Sequence, residues 1–127
     1  MKIIWVNGTF DILHVGHIAL LEHARSVGDY LVVGIDSDER VRELKSKDRP
    51  INCLEDRKTM LEALRFVDKV VTFGTDEELE NWIKQLQPIM VIGDDYKDKR
   101  VVGSEFAKGL YFFTKVDGYS TTKILEK

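Results

Sequence analysis

Apolar residues in this chain fall into short continuous runs separated by stretches with a helical repeat. Residues 3–6, 30–35, 69–71, 89–92 and 110–113 read as strands. Because these runs are apolar throughout rather than alternating, they suit parallel strands covered on both faces. Between them the period changes. Residues 16–27 place Leu20, Ala24 and Val27 on one face, with Gly28 as a stop. Asn52 followed by Glu55 has the spacing of a capping box and opens a helix through Leu61 and Leu64. Thr75 and Glu78 repeat that spacing, and Leu79, Trp82, Ile83 and Leu86 share a face behind them. Strand and helix in alternation predict a Rossmann-like three-layer α/β/α domain with a mostly parallel five-stranded sheet, formed by residues 1–127 as one domain.

In such a sheet ligands lie beyond the carboxyl ends of the strands. That rule directs attention to residues 7–17, 36–38, 93–96 and 117–122. Composition narrows the partners. The net charge is −3 with both signs interspersed, which predicts no nucleic-acid partner, since a nucleic-acid binder carries a basic face. Neither the start of the chain nor any later apolar run approaches the roughly 20 residues of a membrane span. Cys53 is the sole cysteine, so no intrachain disulfide forms, and a cytoplasmic setting is expected.

The first strand is followed by Gly8-Thr9-Phe10-Asp11-Ile12-Leu13-His14-Val15-Gly16-His17. Gly8 admits close approach of backbone to a ligand. A helix starting near Gly16 directs its first N–H groups and its dipole at the same space. His14 and His17 share a face there and can donate to phosphate oxygens. The same spacing also suits zinc ligation, but neither a cysteine nor a third histidine is suitably spaced, and His23 falls further along the helix. An ordinary helix start is the plain alternative. Near the carboxyl end, Ser120, Thr121 and Thr122 follow Gly118-Tyr119 at an expected helix start. One of them suffices as a cap; the triplet can hold phosphate oxygens. Residues 42–57 are rich in cations, including Lys45, Lys47, Arg49 and Arg57, and read either as a solvated loop or as a basic segment that closes over a triphosphate. Asp36-Ser37-Asp38-Glu39 reads as a helix cap and first turn, with a substrate role for Asp36 and Asp38 as the alternative.

Taken together, Gly8-Thr9-Phe10-Asp11 with His14-Val15-Gly16-His17, and Ser120-Thr121-Thr122 near the other end, resemble the two signatures of the cytidylyltransferase-like nucleotidyltransferases over essentially the whole chain. The resemblance implies transfer of a nucleoside monophosphate from an NTP to a phosphorylated acceptor, with release of pyrophosphate and with Mg²⁺ accompanying the nucleotide. It implies catalytic roles for His14, His17, Lys45 and Arg57. Gly8, Thr9, Phe10, Gly16, Gly93, Asp94, Ser120, Thr121 and Thr122 would bind the nucleotide, and Asp11, Asp36, Asp38 and Lys47 the substrates. Asp11 would touch the acceptor or support His14. Asp94 or Asp95 would position Mg²⁺ through water, with no direct protein ligation assigned. Relatives of this kind are often homodimers, and Trp5, Trp82 or Tyr111-Phe112-Phe113 would serve an interface.

Two subfamilies compete for the substrate. Asn7, Leu44-Lys45, Arg49-Pro50-Ile51-Asn52 ahead of Leu54-Glu55, Asp95-Tyr96-Lys97, Gly103-Ser104 and Asp117-Gly118 resemble the adenylyltransferases for heptose 1-phosphate. Thr9 and Gly93-Asp94-Asp95 resemble the glycerol-3-phosphate cytidylyltransferases, where Lys115 stands in place of the usual arginine. ATP with a sugar phosphate is the leading expectation, and CTP with a polyol phosphate the second. A nucleotide sensor without turnover is the reading from another class. A redox dinucleotide binder is disfavoured by the lack of G-x-G-x-x-G after strand one.

Overall fold

The computed structural model describes residues 1–93 and 101–113. Five strands, β1 (Ile3–Gly8), β2 (Tyr30–Asp36), β3 (Lys69–Phe73), β4 (Ile89–Gly93) and β5 (Gly109–Phe113), pair in parallel in the order β3-β2-β1-β4-β5. The helices are α1 (Val15–Ser26), α2 (Asp38–Leu44), α3 (Leu54–Glu62) and α4 (Asp76–Leu86), with a 3-10 turn at Ser104–Phe106. The chain moves outward from β1 to β3, then returns to place β4 on the other side of β1. The carboxyl ends of β1 and β4 thus flank the point where the strand order reverses, the usual ligand crevice of an open parallel sheet.

The continuous apolar runs have a direct explanation. Alternate residues of each strand enter two separate cores. Ile4, Val6, Leu31, Val33, Ile35 and Val70 meet Leu21 and Ala24 of α1 and Leu61 of α3. Trp5, Val32, Val71, Phe73 and Met90 meet Leu79 and Ile83 of α4 on the opposite face. Each fully buried Leu or Ile contributes roughly 1.5–3 kcal/mol by burial. Trp5 is 0% exposed, so it is a core residue and unavailable to an interface.

Helix ends differ in detail from the sequence reading. Thr75 caps α4 by accepting from Glu78 N–H, as its spacing predicts, but the Glu78 carboxylate reaches back to Gly74 N–H. Ser37 caps α2, accepting from Arg40 N–H, and Asp38 and Glu39 occupy its first turn. Asn52 does not cap α3. Cys53 holds that position without a side-chain bond, and the Asn52 amide is turned instead to the carbonyl of Asp11. No helix among the described residues is long and apolar enough to cross a membrane.

Candidate active site

The loop leaving β1 is held in an unusual shape. Phe10 has φ of 50°, in the left-handed region, which costs about 1–3 kcal/mol for a residue with a side chain. Bonds on both sides hold it there. Arg57 Nη1 donates to the carbonyl of Thr9 at 3.0 Å, and the Asp11 carboxylate accepts from the backbone of Ile51 and Asn52. The turn lays the Phe10 ring over Gly8, where a Cβ would lie 3.1 Å from ring carbon Cε2. The same ring meets His17 edge-on, with centroids 5.0 Å apart.

His14 is the N-cap of α1 and His17 stands three residues on, the spacing of a capping box. His14 Nδ1 accepts from Gly16 N–H at 3.1 Å, and His17 Nδ1 accepts from His14 N–H at 3.3 Å. The rings stack with centroids 3.7 Å apart and an interplanar angle of 21°. A ring nitrogen that accepts from an N–H carries a lone pair, so the proton of each neutral imidazole lies on Nε2. The local fold therefore fixes both tautomers and makes both Nε2 atoms donors. Gly16 N–H, expected to face a ligand, is taken by His14 Nδ1.

Four expected site residues are engaged by protein partners in and around this turn. Arg57 is 1% exposed. Its Nε donates to the Asn52 carbonyl, Nη1 to the carbonyls of Thr9 and Asp36, and Nη2 to Asp38 Oδ1 at 2.7 Å. With four bonds to protein it joins the loops after β1 and β2 to the start of α3, in place of the expected clamp over a triphosphate. Asp38 is accordingly its partner. Asp36, 8% exposed, accepts from Arg40 Nε at 2.8 Å and from Thr9 Oγ1 at 3.3 Å. Burial would lower the pKa of Arg40, but hydrogen bonds to Asp76 and Asp36 outweigh it and raise it. Asp11 is 3% exposed, and its oxygens face Arg49, Ile51 and Asn52 instead of His14 or open space.

Lys45 and Lys47 are exposed, Lys45 at the carboxyl end of α2 and Lys47 in the loop that follows. Gly93 closes β4 at the switch point. Asp94, Asp95, Lys115, Ser120, Thr121 and Thr122 lie outside the described residues. Among the described residues no group of three or more His, Cys, Asp or Glu side chains could hold a metal ion. Among the described residues, the carboxylates of Asp11 and Asp36 are occupied by protein donors and do not fit direct Mg²⁺ ligation. A cavity of about 360 Å³ lined by Met1, Lys2, Leu86 and Lys108 lies at the amino-terminal edge of the sheet, opposite the switch point, and bears none of these groups.

Fold and site define a Rossmann-like domain with a histidine-capped turn at its switch point, an architecture that nucleotidyltransferases share. A family model described as cytidylyltransferase-like matches residues 5–127. The bifunctional protein HldE of Campylobacter fetus is 53% identical over 98% of this chain, and that of Helicobacter hepaticus 47% identical over 98%. The chain spans about a quarter of the length of these curated relatives, 27% and 26%. A crystal structure of the lipopolysaccharide core biosynthesis protein from Thermoplasma volcanium superposes with a TM-score of 0.78 at 26% identity, covering 92% of this chain and 99% of that one. The chain belongs to the cytidylyltransferase-like family.

Proposed function

We propose that this domain transfers the adenylyl group of ATP to heptose 1-phosphate, giving an ADP-sugar and pyrophosphate. The observation that carries the reading is the stacked pair His14 and His17, both with Nε2 as donor, at the start of α1 beside the switch point. An acceptor phosphate oxygen attacks the α-phosphorus in line. The new O–P bond forms as the bond from the α-phosphorus to the bridging oxygen of pyrophosphate breaks. The attacking oxygen is already anionic, so the step needs no general base, and catalysis is positioning plus charge stabilisation. His14 and His17 donate to oxygens that gain charge in the transition state. Lys45 and Lys47 supply flexible cations from the loop after α2, and Ser120, Thr121 and Thr122 supply hydroxyls. Arg57 acts from below, holding the loops in place. Mg²⁺ enters as part of the substrate, on the oxygens of the nucleotide.

The sugar-phosphate assignment is supported by the segments around Lys45, Arg49-Pro50-Ile51-Asn52 and Gly103-Ser104 that resemble heptose 1-phosphate adenylyltransferases. The test is a matrix of ATP, CTP, GTP and UTP against heptose 1-phosphate, glycerol 3-phosphate and other sugar phosphates, read as pyrophosphate. The reading expects the largest kcat/KM for ATP with heptose 1-phosphate. A maximum for CTP with glycerol 3-phosphate would transfer the assignment to the polyol enzymes. Tight nucleotide binding without pyrophosphate from any pair would leave a sensor.

A further inference from the structure

A carboxylate taken out of water needs nearly every lone pair satisfied, or its burial is destabilising. Asp11 meets that demand with groups from one distant segment. Oδ2 accepts from Ile51 N–H at 2.8 Å and from Arg49 Nε at 3.3 Å, and Oδ1 accepts from Asn52 N–H at 2.8 Å. The Asp11 carbonyl accepts from Asn52 Nδ2 at 2.6 Å, so the connection is made from both sides. One end of this link lies in the turn between Phe10 and His14. The other end continues the loop that carries Lys45 and Lys47.

We propose that Asp11 is a positioning residue, a latch that fixes the segment 45–52 against the histidine turn so that Lys45 and Lys47 reach the triphosphate held by His14 and His17. The inference rests on the function proposed above and assigns Asp11 a part other than contact with the acceptor. Residues 42–48 and Ile51 are exposed, and among the described residues the side-chain bond that holds the segment besides those to Asp11 is from Arg57 Nε to the Asn52 carbonyl. Its order therefore depends on few bonds, and loss of the carboxylate frees it while both cores stay intact. Asparagine is a sharp probe. It keeps the shape of Asp11 but sets an NH₂ against one of two backbone N–H groups, donor facing donor.

The experiment compares the parent chain with Asp11→Asn, Lys45→Ala and the double variant. It measures amide exchange of residues 49–53, the affinity for Mg·ATP by calorimetry, and KM and kcat for pyrophosphate release. The latch predicts faster exchange at Ile51 and Asn52 in Asp11→Asn and KM for ATP raised about tenfold or more, as expected of a misplaced binding group. It also predicts that Lys45→Ala costs little more once the latch is open, because the two changes remove one interaction. A purely structural Asp11 would give additive effects. Additivity, or unchanged exchange at Ile51 and Asn52, overturns the proposal. If Asp11→Asn does not fold, Arg49→Ala and Asn52→Ala together remove the two side-chain bonds of the link, leave the carboxylate in place, and are judged by the same criteria. Absence of turnover in the parent chain would overturn the functional reading instead, and the exchange and calorimetric comparisons would still decide the latch.

Discussion

The backbone N–H of His14 donates to Nδ1 of His17 at 3.3 Å while the two imidazoles stack with centroids 3.7 Å apart. Under the proposed function, helix capping and phosphate binding are two uses of the same pair of side chains, on opposite ring nitrogens. They can be separated. Asparagine is among the best N-caps, and its Oδ1 can replace Nδ1 as acceptor but has nothing in place of Nε2. His14→Asn is therefore expected to unfold at nearly the parent's urea midpoint while kcat falls about a hundredfold, the cost of losing one oxyanion donor. His17→Ala should lose kcat to a similar degree. A near-parental kcat in either folded variant would remove the histidines from the mechanism.

Arg57 is expected to behave as a buried hub. Replacing it with methionine leaves Asp38 and three backbone carbonyls without their donor. The loss should be about 3–5 kcal/mol, the range for breaking a buried ion pair by removing one partner. Arg57→Lys should recover only part of it, since an ammonium cannot span four acceptors in the plane of a guanidinium. Urea unfolding measures both, and a stability within about 0.5 kcal/mol of the parent, as at an ordinary surface site, would contradict the assigned place.

Lys45→Ala and Lys47→Ala should do the reverse. Both side chains are exposed, so stability should stay within about 0.5 kcal/mol of the parent. Loss of a charge-assisted bond to the triphosphate should raise KM for ATP about tenfold or more. Initial rates against ATP concentration give the answer, and an unchanged KM in both would place the cations outside the site.

Gly34 tests the packing that sets β1 against β2. A Cβ there would lie 2.4 Å from Cζ2 of Trp5 and 2.5 Å from Cη2, and the indole is fully buried. Gly34→Ala should cost about 1–3 kcal/mol by overpacking and perturb the fluorescence of Trp5. No change in either would contradict the core as described.

Much of the architecture is written plainly in the chain. Runs such as residues 30–35 are apolar at both parities because each parity faces a different helical layer, and that pattern identifies parallel strands before any pairing is known. The positions of His14 and His17 are equally legible, because N-cap and N3 spacing fixes their geometry locally. Long-range polar partners are not. Nothing near Asp11 in sequence says that its carboxylate will meet Ile51 and Asn52, and the Asn52–Glu55 spacing points to a cap that Cys53 occupies instead. Arg57 did carry a signal: Leu54, Arg57 and Leu61 follow the i, i+3, i+7 spacing of one helix face, which turns the guanidinium inward with the leucines. A cation-rich neighbourhood suggested the surface, and the periodicity decided otherwise.

The central claim is that the two Nε2 donors, and not merely the fold, receive the triphosphate. Nitrogen-15 NMR of the imidazoles tests it directly, because the chain has three histidines and His23 packs between Tyr111 and Phe113, away from the turn. The account predicts that His14 and His17 show protonated Nε2 and unprotonated Nδ1, and that their Nε2 resonances move on saturation with Mg²⁺ and a non-hydrolysable ATP analogue while those of His23 stay still. Protonated Nδ1 in either ring, or saturation that moves only His23 or none of the three, would contradict it.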